Sequence, residues 1–379
     1  MKKICYVTTV PLTIRAFILE SAKYIHEHTD WDITFVCDED AEFAEELPDY
    51  IHYHPIKMAR GISLAGIGAM LEMKRFFKEQ KFDLIQYSTP NASLYAAMAG
   101  KAAKVPVRLY CQWGMAFVGF SGLKRRIFKE VEKYVCSCAT WIEPDSKSNL
   151  DFSHAEGLYP ADKGSVIWNG SACGVKLDKF DYSKKGGWRQ DIRGELGISD
   201  DAFVFGFVGR LTRDKGINEL LAAAKSVLET NDNSYLIFVG PNEADATIDS
   251  ELYQWAVSNP RVIFVGYVNC VEQYLSAMDC YVLPSYREGF GMGVVEAEAM
   301  AVPVIVTNIP GPIDAMLPEK TGYVVEKKSV EQLEAAMVRM MNSDVKALGE
   351  AGMKFAKEGF EQQEFFRRVL EDRKRLMGI

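Results

Sequence analysis

The stretch SYREGFGMGVVEAEAMAVPVIVTNIPG, Ser285–Gly311, sets two glutamates, Glu288 and Glu296, eight positions apart with three glycines between them. The apolar run CYVLPSY leads into it, and VPVIVTN follows the second acid. Short apolar runs bounded by proline and glycine read as buried strands, and VVEAEAMA between them reads as a helix starting near Gly293. Strand, loop, helix and strand in that order make a βαβ unit with parallel strands. Glu288 then lies in the loop at the carboxyl end of the first strand, and Glu296 in about the first helical turn. Gly289, Gly291 and Gly293 let the main chain approach a ligand closely, and a helix start favours an anion, above all phosphate. Two carboxylates beside a phosphate would repel it. They suit hydroxyl groups, from which a carboxylate accepts strong hydrogen bonds. Phosphate flanked by hydroxyl-rich groups describes a nucleotide sugar.

The same alternation extends outward in both directions. AFVFGFVGRL, YLIFVG and RVIFVGYV read as further strands, with INELLAAAKSVLET and SELYQWAVS as helices between them. After AFVFGFVG comes RLTRDKG, whose Arg210 and Lys215 stand where two cations can bracket a diphosphate. Taken alone, that loop reads better as a solvated turn before a helix, a reading that loses ground beside the glycine-rich helix start in the same half. In the first half, KKICYVTTV, DITFVCD, FDLIQYS and VRLYCQW alternate with helical segments, the first expected over about Phe17–His28. Residues 176–200 are polar and glycine-bearing, which suits a linker or the entry to a second domain. The fold class that follows is α/β, two Rossmann-like domains facing a cleft, with ligands at the carboxyl ends of the strands.

Bulk properties agree with two globular domains. The chain has 379 residues, 48% hydrophobic and 25% charged, with a net charge of −8 that argues against a nucleic-acid binder. No apolar run reaches the length of a bilayer span and the start lacks a signal-peptide pattern, so a cytoplasmic protein is expected. The eight cysteines fall largely in apolar runs, and the C-x-C at Cys136 and Cys138 has no second pair to complete a zinc site. No metal site is expected.

The spaced motifs GRLTRDKG, YLIFVGPNE, FVGYV, the E-x7-E pair and VIWNGSACGVKLDKFD resemble those of retaining glycosyltransferases of family GT4, which have the GT-B fold. The likeness is to bacterial enzymes of lipid-linked oligosaccharide, capsule and O-antigen assembly, and it covers the second half more fully than the first 170 residues. It implies an acceptor-binding domain over 1–175, a nucleotide-sugar domain over 176–361 and a last helix, 362–379, that returns to the first domain. It implies that Arg210 and Lys215 hold the donor diphosphate, that Glu296 takes the ribose hydroxyls and that Glu288 faces the transferred sugar. Gly291 and Met292 match the loop that contacts that sugar, and Gly293, Val294 and Val295 the part nearest the diphosphate. The base is expected near Gly266, Tyr267 and Val268, with UDP the family's usual nucleotide and no metal cofactor. The acceptor is expected to be a glycan or lipid-linked glycan.

Two departures stand in the first half. Relatives carry a glycine pair after the first strand, where this chain has Val10-Pro11-Leu12, leaving Thr9, Arg15 and Phe17 as acceptor contacts. Relatives also place a histidine in a YTVHG-like stretch, where this chain reads YCQWG, so that Trp113 either stacks on a sugar or walls the pocket. Between Lys101 and Val135, eight Lys/Arg and two Glu give a net +6, and FSGLKRRIFKEVEKYV reads as an amphipathic helix. Such a helix either packs on its own sheet or lies on anionic lipid through 123–135, which would make the protein peripheral on the inner face of the membrane.

Other readings are a metal-dependent transferase using Asp38 and Asp40 of CDED, a nucleotide-sugar 2-epimerase and a non-catalytic nucleotide-sugar sensor. The first places its acids early, with no further ligand nearby, and CDED reads better as a solvated loop. The second would not be expected to carry the E-x7-E with the Arg-Lys loop, and the third leaves the intact acids and cations unexplained.

Overall fold

The computed structural model describes residues 1–58, 64–243 and 247–379. The chain divides into two compact units, Met1–Gly174 with Gln363–Ile379, and Val175–Gln362.

In the first unit, β1 (Lys3–Val7), β2 (Asp32–Val36), β3 (Ile51–Tyr53), β4 (Leu84–Tyr87), β5 (Val107–Gln112) and β6 (Trp141–Pro144) form a parallel sheet in the order β3-β2-β1-β4-β5-β6. In the second, β7 (Phe203–Val208), β8 (Ser234–Val239), β9 (Val262–Gly266), β10 (Cys280–Leu283), β11 (Val304–Thr307) and β12 (Gly322–Val325) form another, in the order β12-β11-β10-β7-β8-β9. Strands buried on both faces explain the continuous apolar runs, in place of an alternation of polar and apolar residues. In each sheet the order reverses once, between β1 and β4 and between β7 and β10. The loops diverge there and leave a crevice at the strands' carboxyl ends.

The C-terminal helix, Gln362–Met377, buries Phe365, Phe366, Val369 and Leu370 in the first unit's core with Ile4, Tyr6 and Ile33. Arg373 on this helix is 1% exposed and makes a two-pronged pair with Glu143 of β6 at 2.5 and 3.0 Å. Its guanidinium also donates to Gln86 Oε1 of β4 at 3.0 Å. A buried charge needs this many partners, since removing one from a buried pair costs roughly 3–5 kcal/mol.

Two stretches hold more structure than the sequence suggests. Residues 176–200 are the entry to the second unit rather than a bare linker: Lys185–Leu196 is a helix of that unit, and Arg193 on it is fully buried. Arg189 and Arg193 each bind a carboxylate oxygen of Asp279 at 2.7 Å, just before β10. The segment looks hydrophilic because its charges are neutralised internally. The helix expected over about Phe17–His28 is Leu19–Glu27, and a further helix, Pro11–Phe17, precedes it and joins it at Ile18. Proline at the first helical position, with its preset φ and no amide to leave unpaired, starts a helix where the sequence suggested a loop.

Candidate active site

The second unit's switch point is stitched together by main-chain contact. Gly216 has φ 73°, and a Cβ there would lie 2.0 Å from the carbonyl oxygen of Pro284. Only glycine lets the loop after β7 touch the loop after β10. The Tyr286 amide donates to the Asp214 carbonyl at 2.8 Å, and Arg287 pairs with the Asp214 carboxylate at 2.9 Å. Across this seam the Lys215 ammonium meets Glu288 Oε1 at 2.7 Å. Ser285 Oγ donates to the same oxygen at 2.7 Å. Both charged side chains are largely shielded, at 21% and 13% exposure.

The helix after this loop is Met292–Ala299, one residue earlier than expected, with Gly291 at its N-cap in the left-handed region at φ 89° and no side chain capping it. Gly293 is required for space, because a Cβ there would sit 2.5 Å from the Tyr281 hydroxyl. Tyr281 itself is fully buried, and burial, Glu288 and Glu296 all raise its pKa. The Val294 and Val295 side chains are fully buried, so these residues can meet a ligand only through main chain, and the Val294 amide already donates to Gly291 O at 2.8 Å. Glu296 falls in the second turn of the helix, half-buried. Burial raises its pKa to about 7, opposed by Lys179 and reinforced by Glu272.

Arg210 does not join Lys215. It is exposed and pairs with Glu243, in the loop after β8, at 3.2 Å. Gly209, Gly240 and Gly266, at the ends of β7, β8 and β9, are linked because Gly209 N donates to Val239 O and Gly240 N to Gly266 O, each at 2.8 Å. Beyond them Tyr267 is 72% exposed with its hydroxyl on Asn269 at 3.0 Å, while Val268 packs partly on the core.

The first unit's switch point has different chemistry. The Thr9 amide donates to Thr89 Oγ1 at 3.0 Å, and the two hydroxyls lie 2.8 Å apart. Thr89 holds φ 69°, which is costly for a β-branched residue, and starts the helix Pro90–Ala103. Phe17 and Trp113 meet with ring centroids 5.7 Å apart. Arg15 turns instead toward the Ala41–Glu46 helix, where it reaches Glu46 at 2.7 Å and Asp40 at 3.8 Å. Asp40 caps that helix by accepting from the Phe43 amide at 2.8 Å, and Asp38 accepts from the Met58 amide at 2.6 Å. Both carboxylates of CDED thus bind main chain.

Sequence reasoning missed Thr89, Ser285 and Tyr281. A polar residue just before Pro90 at the end of a strand was a readable sign for Thr89, because the position before proline is conformationally restricted. Ser285 and Tyr281 had no local signal, since their roles come from facing Glu288 and Gly293.

Two family models match: "Glycosyl transferases group 1" over residues 189–361 and "Glycosyl transferase 4-like" over residues 3–146. The capsular polysaccharide biosynthesis glycosyltransferase CapM of Staphylococcus aureus is 30% identical over 82% of this chain and 81% of its own length. The UDP-Gal:alpha-D-GlcNAc-diphosphoundecaprenol alpha-1,3-galactosyltransferase of Escherichia coli is 26% identical over 90% of this chain and 89% of its own. Among solved structures, HepE of Anabaena, crystallised with UDP, superposes with a TM-score of 0.78 at 19% identity, covering 99% of this chain and all of that one.

Proposed function

The chain belongs to the group 1 glycosyltransferases, and from that premise we propose that it moves a sugar from a UDP-sugar to a lipid-linked glycan, with retention and without a metal, in surface polysaccharide assembly. The observation that carries this reading is the Lys215–Glu288 pair at the β7/β10 switch point, beside a helix start that no side chain caps. Breaking the bond between anomeric carbon and phosphate leaves a diphosphate and an oxocarbenium-like sugar. Lys215 and the helix start stabilise the departing oxygens. Arg210 adds to them by exchanging its exposed pair with Glu243, which stabilises by at most about 1 kcal/mol, for phosphate. The acceptor hydroxyl attacks from the same face, and its proton passes to the departing phosphate oxygen. Glu288, oriented by Lys215 and Ser285, supports the positive charge on the sugar, and Glu296 takes the ribose hydroxyls.

The acceptor falls to the first unit, where Thr9, Thr89, Phe17 and Trp113 offer hydroxyls and aromatic faces. Names of the relatives point to diphosphoundecaprenol-linked acceptors, and the helix Gly122–Cys138 is suited to the membrane that holds them. Leu123 and Ile127 on it are 73% and 52% exposed, beside Lys124 and Arg126. Its inner side is held otherwise, with Val135 buried and Arg125 and Lys129 paired to Glu156. No helix among the described residues is long and apolar enough to cross a membrane, so this contact is peripheral.

The test is transfer from a panel of UDP-sugars to a short-chain diphosphate-lipid acceptor in EDTA, with the product's anomeric configuration read by NMR. Titration calorimetry with UDP then separates the two acids. Glu296→Ala should weaken UDP binding, whereas Glu288→Gln should leave it nearly unchanged and lower turnover. Turnover restored only by a divalent cation, or an inverted product, would overturn the mechanism.

A further inference from the structure

Glu296 is not alone behind the donor site. Glu272, in the first turn of the helix Val271–Ala277, is 8% exposed, and its Oε2 accepts no hydrogen bond. The same oxygen lies 3.7 Å from the ammonium of Lys179. Lys179 belongs to the short segment by which the chain enters the second unit, anchored where the Val175 amide donates to Phe360 O at 2.7 Å. Lys179 and Glu272 are also the two charged groups that act on Glu296, one favouring its carboxylate and the other opposing it. Lys179, its own side chain 42% exposed, therefore acts on both the buried Glu272 and the half-buried Glu296. From β10 the Tyr281 phenol feels Glu296 and Glu288 together. The other acid of the helix, Glu298, packs away from this group, against Gly352.

We propose that Lys179 and Glu272 are positioning residues for the donor's ribose: Lys179 is the counter-charge that keeps Glu296 an acceptor of hydroxyl hydrogen bonds, and Glu272 is the acid that competes for it. The inference rests on the reading of Glu296 as the ribose ligand. Its physical basis is that two carboxylates close enough to oppose each other's charge, with little solvent around them, are harder to keep charged together once their cation is removed. A protonated Glu296 must donate one of its hydrogen bonds, and the ribose diol then loses an acceptor. Burial places the titration of Glu296 near neutral pH, so small changes in its neighbours should be visible in donor binding.

The two substitutions therefore act in opposite directions. Lys179→Met should weaken UDP binding about fivefold near pH 7 and close to tenfold near pH 6, as for a one-unit rise in the pKa of Glu296 from about 7, and binding should recover toward the parent value by about pH 9. Glu272→Gln frees the cation for Glu296 and should hold UDP affinity to lower pH than the parent protein does. Lys179→Arg keeps the charge and should keep the parent profile. The measurement is calorimetric titration of UDP from about pH 6 to about pH 9, taken as the ratio of variant to parent at each pH so that the nucleotide's own phosphate titration cancels. If both variants lose affinity by a factor independent of pH, or both follow the parent, the positioning role is overturned while the donor reading stands. If the parent protein binds no UDP at any pH, the UDP-donor reading falls and takes this inference with it.

Discussion

The two switch points share a topology and differ in chemistry. At β7/β10, a lysine and a glutamate meet at 2.7 Å across a glycine seam, with a second acid one turn into the next helix. At β1/β4, two threonines share hydrogen bonds and two aromatic rings stand nearby. The topology decides where a ligand can bind, and the residues of the diverging loops decide which ligand. A fixed cation and main-chain amides suit a diphosphate. Hydroxyls and ring faces suit a sugar.

The contrast breaks first at Lys215. Lys215→Ala should lower kcat by roughly 10²–10³, on the order of 3 kcal/mol, as for loss of one positioned donor to a developing anion. Steady-state kinetics with the donor at saturation check this, and a loss confined to KM would move Lys215 from leaving-group stabilisation to ground-state binding. Next comes Gly293→Ala, whose Cβ would sit 2.5 Å from the Tyr281 hydroxyl. The clash should cost about 1–3 kcal/mol of donor affinity, read as UDP Kd, and Tyr281→Phe in the same chain should return part of it.

At the other switch point, Thr89→Ala removes the partner of the Thr9 amide and should raise the acceptor KM several-fold, in keeping with about 1 kcal/mol per hydrogen bond. UDP affinity should not move. A parallel loss of UDP binding would show that the two loci do not divide donor from acceptor.

The last effect is on stability rather than activity and falls on Glu298, fully buried on the helix Met292–Ala299, with its pKa raised well above the ordinary carboxylate value by desolvation. The native state then holds a proton that the unfolded chain releases. Stability is therefore highest below the unfolded carboxylate pKa and falls as pH rises toward the folded one, by up to about 1.4 kcal/mol per pH unit. Glu298→Gln should remove that dependence, so its gain in Tm over the parent should be small at about pH 5 and grow through about pH 8. An equal Tm difference at every pH would show that Glu298 is not held protonated.

Much of this arrangement is legible in the residue order. Apolar runs of four to eight residues alternating with helical patterns determine a parallel α/β architecture, because strands buried on both faces need no polar alternation. Glu288, Lys215 and the glycines of the loop were readable because a strand end, a loop and a helix start form a local unit whose residues are close in sequence. Other features lay outside that range. The hydrophilic run 176–200 hides a helix whose arginines are neutralised by Asp279, some 90 residues away. Arg210 and Lys215 are five positions apart and part company, one toward Glu243 and one toward Glu288. Thr9 finds Thr89 only because β1 and β4 are neighbours in the sheet. Local sequence determines which elements form and which chemical groups their ends carry. Which of those groups meet is decided by strand order and burial, because hydrogen bonds, ion pairs and desolvation act over a few ångströms of space, whatever the separation along the chain.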